Sequence, residues 1–298
     1  MIKNYSTDKI YKELQKVGYF PTKQISFAVS AAINNGMPVL VEGEPGAGKT
    51  FLAKSTAAML GLPLLRVQFY EGLTADKILY DYDYQKQLLT IESIKTALEN
   101  NLLGKSINEA IELAKDIDFY GKDFLIRRPI LEALSGEQQY VLLLDEVDKS
   151  SEEIEYTLLE TLDEFSITIP QLGTITCPKD KRPIVFLTSN NYRELSDALK
   201  RRCAYLYIPK KTESEMFEIL KQEASASETL AKGIAACMNK INHLNLKQNP
   251  SIAEAKNWMN YILSMEEDAD IDLSLCMLVK NEDDRDKIII SGALDELR

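Results

Sequence analysis

Apolar residues along this chain follow two rhythms. Short, mostly apolar runs alternate with stretches in which apolar positions recur every three or four residues. The runs are Val39-Leu40-Val41, Leu64-Leu65-Arg66-Val67-Gln68-Phe69, Val141-Leu142-Leu143-Leu144, Ile184-Val185-Phe186-Leu187 and Ala204-Tyr205-Leu206-Tyr207-Ile208. Each predicts a short strand. Between them lie helical patterns. Ile25, Ala28, Val29 and Ala32 form one stripe, stopped by Gly36 and Pro38. Leu52, Thr56 and Leu60 form another, stopped by Gly61 and Pro63. Near-continuous apolar strands separated by helices predict a parallel sheet covered on both faces. After Pro209 the strand signal disappears. The clearest later helix opens with the capping box Ser251-x-x-Glu254 and carries Ile252, Ala255, Met259 and Ile262 on one face. The expected fold is α/β, a three-layer α/β/α core with a parallel five-stranded sheet over residues 1–209. A small all-α domain over 210–298 follows it.

Two stretches exceed a minimal alternating fold. Residues 72–125 form a long insertion between the second and third strands, expected to be mostly helical. It contains Tyr80-Asp81-Tyr82-Asp83-Tyr84, where an extended chain would put three tyrosines on one side. Acidic rather than basic residues interleave them, which favours packing or a protein contact over base stacking. Residues 166–176 are β-branched on both sides of a Gln-Leu-Gly turn and predict a hairpin.

Composition narrows the function classes. The 298 residues have room for one large domain or two ordinary ones. With 45% hydrophobic and 27% charged residues, the chain reads as a soluble globular protein. A net charge of −11 argues against a broad grip on nucleic acid or on an anionic membrane. Cys177, Cys203, Cys237 and Cys276 form no C-x-x-C pair and read as buried thiols in a reducing cytosol. His243 is the only histidine, which excludes zinc sites built on two histidines and counts against a Ser-His-Asp hydrolase. There is no apolar run of the roughly 18 residues that a membrane helix needs. Asn4, Asp8, Lys9 and Lys12 do not suit a signal peptide, so a cytoplasmic protein without membrane insertion is expected.

The candidate chemistry begins at Gly43-Glu44-Pro45-Gly46-Ala47-Gly48-Lys49-Thr50, which fits the phosphate-binding loop G-x-x-x-x-G-K-[ST]. A predicted strand precedes it and a predicted helix follows, as the motif requires. Such a turn aims backbone N–H groups and the positive end of a helix at one point, which suits a polyphosphate. The stretch Glu44, Pro45, Gly46, Ala47, Gly48, Lys49, Thr50 and Phe51 is therefore the expected nucleotide site. Lys49 would reach the outer phosphates, and the Thr50 hydroxyl would sit on Mg²⁺. The third strand ends in Asp145-Glu146. Groups just past the carboxyl ends of parallel strands face the ligand crevice. Asp145 can serve the metal there, and Glu146 can orient or deprotonate the attacking water. A plain helix-start charge is the alternative, with Ser150-x-x-Glu153 capping the next helix. The fourth strand ends at Asn190, whose amide can meet a γ-phosphate or simply form a turn. Lys200-Arg201-Arg202 before the fifth strand offers an arginine that could stabilise phosphoryl charge, or a basic helix end.

Together these residues resemble an AAA+ ATPase, more narrowly the MoxR branch. The likeness runs through Glu42–Thr50, Tyr82–Leu89, Arg128–Leu131, Leu143–Lys149, Ile169–Ile175, Leu187–Asn190 and Arg193–Cys203. The Ile-Pro-Gln-Leu-Gly hairpin and the Arg-Glu-Leu-Ser-Asp-Ala-Leu block are its most specific parts. The resemblance implies ATP and Mg²⁺ as ligands. Asp145 becomes the metal partner, Glu146 the water activator and Asn190 the first sensor. Arg202, with Arg201 in reserve, becomes a finger acting on the neighbouring subunit of a homo-oligomeric ring, usually a hexamer. It also implies a chaperone-like remodeller working with a von Willebrand factor A domain protein on a client that the sequence does not name. One departure stands out. The lid helix begins Asn249-Pro250-Ser251-Ile252-Ala253-Glu254 without the arginine that many relatives place there, and Lys247 is the nearest cation in sequence. A DNA-handling AAA+ motor and a nucleotide-gated scaffold with little turnover are the competing readings.

Overall fold

The computed structural model describes residues 5–101, 118–170, 172–222, 227–265, 270–295 and 297. Its centre is a five-stranded, wholly parallel sheet made of β1 (Val39–Glu42), β2 (Leu64–Gln68), β5 (Val141–Asp145), β8 (Ile184–Ser189) and β9 (Ala204–Tyr207). Their spatial order is β2-β5-β8-β1-β9. The runs of β1, β5 and β8 are continuous because each of these three strands feeds two cores. Val39, Val41, Val141, Leu143, Ile184 and Phe186 face one apolar cluster. Leu40, Leu142, Leu144, Val185 and Leu187 face the other. Side chains alternate across a strand, so a strand buried on both faces has no room for polar positions.

Three helices cover the first face. They are α1 (Thr7–Lys16), α2 (Lys23–Asn35) and α3 (Lys49–Leu60). The first two are N-capped by Ser6 and Thr22, and Gly36 ends α2 in the left-handed region at φ 67°. Ile10, Leu14, Ile25, Val29 and Leu52 bury themselves in the cluster under them. Helix Glu152–Glu164 belongs to the opposite face, where Ile154, Leu158 and Leu162 are buried. Its N-cap is Ser151, not the predicted Ser150. Ser151 accepts from the Ile154 amide, whereas the Ser150 hydroxyl donates to the Val147 carbonyl at 2.7 Å.

The described part of the insertion is more varied than the expected helical tract. It holds helices Ala75–Leu79 and Tyr84–Asn101 and a small antiparallel pair, β3 (Tyr80–Tyr82) with β4 (Leu125–Arg127). Tyr80 and Tyr82 are neighbours, with ring centroids 5.7 Å apart, and Tyr82 meets Tyr120 at 5.4 Å. Tyr84 leaves this row because the chain turns helical there. Residues 102–117 of the insertion lie outside the described residues. The predicted hairpin is present as β6 (Ser166–Ile169) and β7 (Gly173–Thr176), although Gln171 of its turn also lies outside them.

Beyond β9 the described residues are helical and turn structure. Helices Glu213–Lys221, Glu228–Asn242, Ile252–Met265 and Glu282–Ile290 gather around a separate apolar cluster. Trp258 lies at its centre, fully buried, and its indole N–H donates to Ser274 Oγ at 2.7 Å. The Ser251–Glu254 capping box forms as expected. Cys177, Cys203 and Cys237 are buried, but Cys276 is exposed, which corrects the expectation for all four. No helix among the described residues is long and apolar enough to cross a membrane.

Candidate functional site

The carboxyl ends of β1, β5 and β8 open into one cleft of about 510 Å³. The size lies within the usual range for small-molecule sites. Its floor is the turn between β1 and α3. Gly43 approaches the Ile208 carbonyl so closely that a Cβ would overlap it. At Gly46, φ is +80° and a Cβ would stand 2.5 Å from Ser251 Cβ. Only glycine accepts both the left-handed backbone and this contact. The turn therefore nests against the N-terminus of helix Ile252–Met265, whose capping serine is Ser251.

Lys49 crosses the cleft from the start of α3. Its ammonium donates to the Gly43 carbonyl at 2.6 Å, the Glu44 carbonyl at 2.9 Å and Asn190 Oδ1 at 2.7 Å. Burial holds its pKa below the ordinary lysine value. Loss of hydration outweighs the attraction of Asp148, Asp145, Glu146 and Glu44. An anion placed here would offset the hydration that burial removes. Thr50 Oγ1 donates to Asp145 Oδ1 at 3.1 Å, joining the two residues expected at the metal. Hydroxyl and carboxylate oxygens together suit a hard divalent cation, so this pair fits Mg²⁺.

Glu146 follows directly but turns differently. Its φ of 59° lies in the left-handed region, which costs a non-glycine residue roughly 1–2 kcal/mol. Its amide donates to Thr188 Oγ1 at 2.9 Å, which holds this conformation. Its carboxylate accepts from Gln68 Nε2 at 2.8 Å and from Lys149 Nζ at 2.7 Å. Asn190 Nδ2 reaches the other oxygen at 3.4 Å. Asp148, almost fully buried, accepts from the Asn190 and Tyr192 amides at 2.9 and 2.8 Å. It ties the exit of β5 to the exit of β8 and so fixes Asn190 beside the acidic pair.

Lys49, Thr50, Asp145, Glu146 and Asn190, taken from three separate regions of the chain, thus meet in one cleft. Pro45, Gly46, Ala47, Gly48 and Phe51 also line it. The Glu44 side chain points elsewhere, pairing with Lys210 at 2.8 Å, and Glu44 contributes only its carbonyl to Lys49. Arg202 lies outside the cleft. It donates to the Ala198 carbonyl and to Asp163 Oδ2, both at 3.0 Å, and Arg201 beside it is exposed. Residues 38–203 match the family described as AAA domain (dynein-related subfamily), more than half of the 298-residue chain. The chain belongs to this family. It is thereby a P-loop protein of a family of nucleotide-hydrolysing ATPases.

No curated protein matches the chain. Among solved structures, a RuvB mutant of Thermotoga maritima is 18% identical with a TM-score of 0.47, covering 98% of this chain and 74% of that one. The Thermotoga maritima RuvB Holliday junction branch migration motor is 16% identical with a TM-score of 0.45, covering 98% and 72%. Both are likenesses of fold alone.

Several cleft residues carried no motif. Tyr19, unlike the expected Phe51, is one of them, and the two form an aromatic wall with ring centroids 5.8 Å apart. Burial raises the Tyr19 hydroxyl pKa, with Glu215 adding to it. Arg66, on β2, pairs with Asp145. Lys247, the cation nearest the lid helix in sequence, is held at Asp283 at 2.5 Å. The cation that lines the cleft from that helix is Lys256, one turn inside it. Its position four residues beyond Ile252 puts it on the same side as the helix start.

Proposed function

We propose that this protein is an ATP-hydrolysing, chaperone-like remodelling ATPase of the MoxR type, with ATP and Mg²⁺ as its ligands. The observation that carries the ATPase reading is the convergence of Lys49, Thr50, Asp145, Glu146 and Asn190 at one sheet edge. Lys49 would hold the outer phosphates, with the amides of Gly46, Ala47 and Gly48 around them. Thr50 and Asp145 would hold Mg²⁺, which when bound neutralises phosphate charge. Glu146 would orient and deprotonate the attacking water, and Asn190 would fix that water or the γ-phosphate. In the MoxR reading, residues 1–209 form the nucleotide core and 210–298 a lid. The contact of Gly46 with Ser251 lets nucleotide in the turn bear on the lid directly.

Arg202, facing away from its own cleft, suits a finger for the next subunit of a ring, with Arg201 beside it. Such an arginine is worth about 10³–10⁵ in rate when supplied in trans. The MoxR assignment rests on the Ile169–Ile175 and Arg193–Cys203 blocks. It brings a von Willebrand factor A domain partner and a role in protein maturation or metal-cofactor assembly. A net charge of −11 favours this over a DNA motor. The test is an ATP turnover assay with and without a von Willebrand A-type protein encoded beside this chain. Mg²⁺-dependent turnover that the partner alters supports the proposal. Steeply salt-dependent DNA binding that stimulates turnover would favour the motor instead, and nucleotide binding without turnover would favour a scaffold.

A further inference from the structure

Strand β2 is an edge strand, yet it reaches both acidic residues of the cleft. Its register sets Gln68 opposite Asp145, and Arg66 stands two residues earlier on the same face. Arg66 Nε donates to Asp145 Oδ2 at 2.9 Å, and its Nη2 lies 2.6 Å from the same oxygen. The other oxygen already accepts from Thr50 and Thr188. Asp145 is almost buried, with its side chain 4% exposed, so bulk water replaces these partners poorly. The Arg66 side chain is 46% exposed and has solvent to swing into.

A divalent cation on Thr50 and Asp145 would need the oxygen that the guanidinium now occupies. Two cations on one carboxylate repel each other, and the more so where solvent is excluded. Resting on the ATP and Mg²⁺ reading above, we propose that Arg66 is a built-in competitor of the metal at Asp145. It neutralises the buried carboxylate while the site is empty of metal and must leave when Mg²⁺ arrives with nucleotide. Arg66 thereby sets the Mg²⁺ concentration at which the site loads.

The test measures binding of a fluorescent ATP analogue to the full chain while free Mg²⁺ is varied. Arg66→Met removes the charge and keeps the length; Arg66→Lys keeps the charge. The half-saturating Mg²⁺ falls about two- to tenfold in Arg66→Met, the range a partly exposed charged pair carries. It stays within about twofold of the unaltered protein in Arg66→Lys. Equal analogue binding without metal shows that both variants keep their fold. An unchanged or higher Mg²⁺ requirement in Arg66→Met overturns the competitor role and leaves the nucleotide site standing. Analogue binding by the unaltered protein that ignores Mg²⁺ altogether overturns the metal reading and this inference with it.

Discussion

Glu146 sits in a strained backbone conformation with three side chains reaching its carboxylate. Strain of this kind persists only where neighbours over-determine it, and it gathers at functional positions. Glu146→Gln keeps the shape and the hydrogen-bonding oxygen but removes the base. ATP affinity should stay within about twofold while turnover falls about 10²–10⁴-fold, the usual worth of a positioned base. Equilibrium binding and a phosphate-release assay measure the two. Lys49→Ala should act earlier, at binding itself. It removes the ammonium that bridges Gly43, Glu44 and Asn190, so nucleotide affinity should fall by a factor of about ten or more, as loss of a buried charged hydrogen bond implies. Calorimetric titration reads that loss.

At the scale of elements, the phosphate turn and the lid helix depend on each other. Gly46→Ala would force a Cβ into Ser251 and put alanine at φ +80°. The left-handed backbone alone costs roughly 1–2 kcal/mol. Urea denaturation should show a loss of at least that size, and nucleotide affinity should fall with it. Leu143→Ala in the middle of β5 should cost about 2–5 kcal/mol, because Leu143 is fully buried between α3 and its neighbouring strands. The strands, the hairpin at 166–176 and the turn at Gly43–Thr50 were legible because each rests on neighbours in sequence. Asp145 and Glu146 were legible from their place at a strand end. Arg66 and Asp148 were not, since their partners follow from the order of strands in space, with β2 beside β5 and β5 beside β8. The alternation of Arg66 and Gln68 within an apolar strand was the only local sign. Lys256 was hidden by a different cause. The nearest cation in sequence is Lys247, but Asp283 claims it, and the helical spacing that brings Lys256 to the cleft matters only once the helix start is placed at Gly46.

In the proposed ring, copies of the chain divide the labour. Arg202 is tied to Asp163, away from its own nucleotide cleft. Arg202→Ala subunits should be inactive alone and partly restored by mixing with Lys49→Ala subunits, because one of the two orientations of a mixed interface joins an intact Lys49 to an intact Arg202. A turnover assay across mixing ratios checks this, and failure at every ratio rules out Arg202 as a finger acting in trans. The most direct measurement is a structure of the Glu146→Gln variant determined with ATP and Mg²⁺. The triphosphate should lie over Gly46–Thr50, its outer phosphate at Lys49 and Asn190, and the metal at Thr50 and Asp145 with Arg66 withdrawn. Nucleotide bound elsewhere, or Lys49 still closed on Asn190 in its saturating presence, would contradict this arrangement.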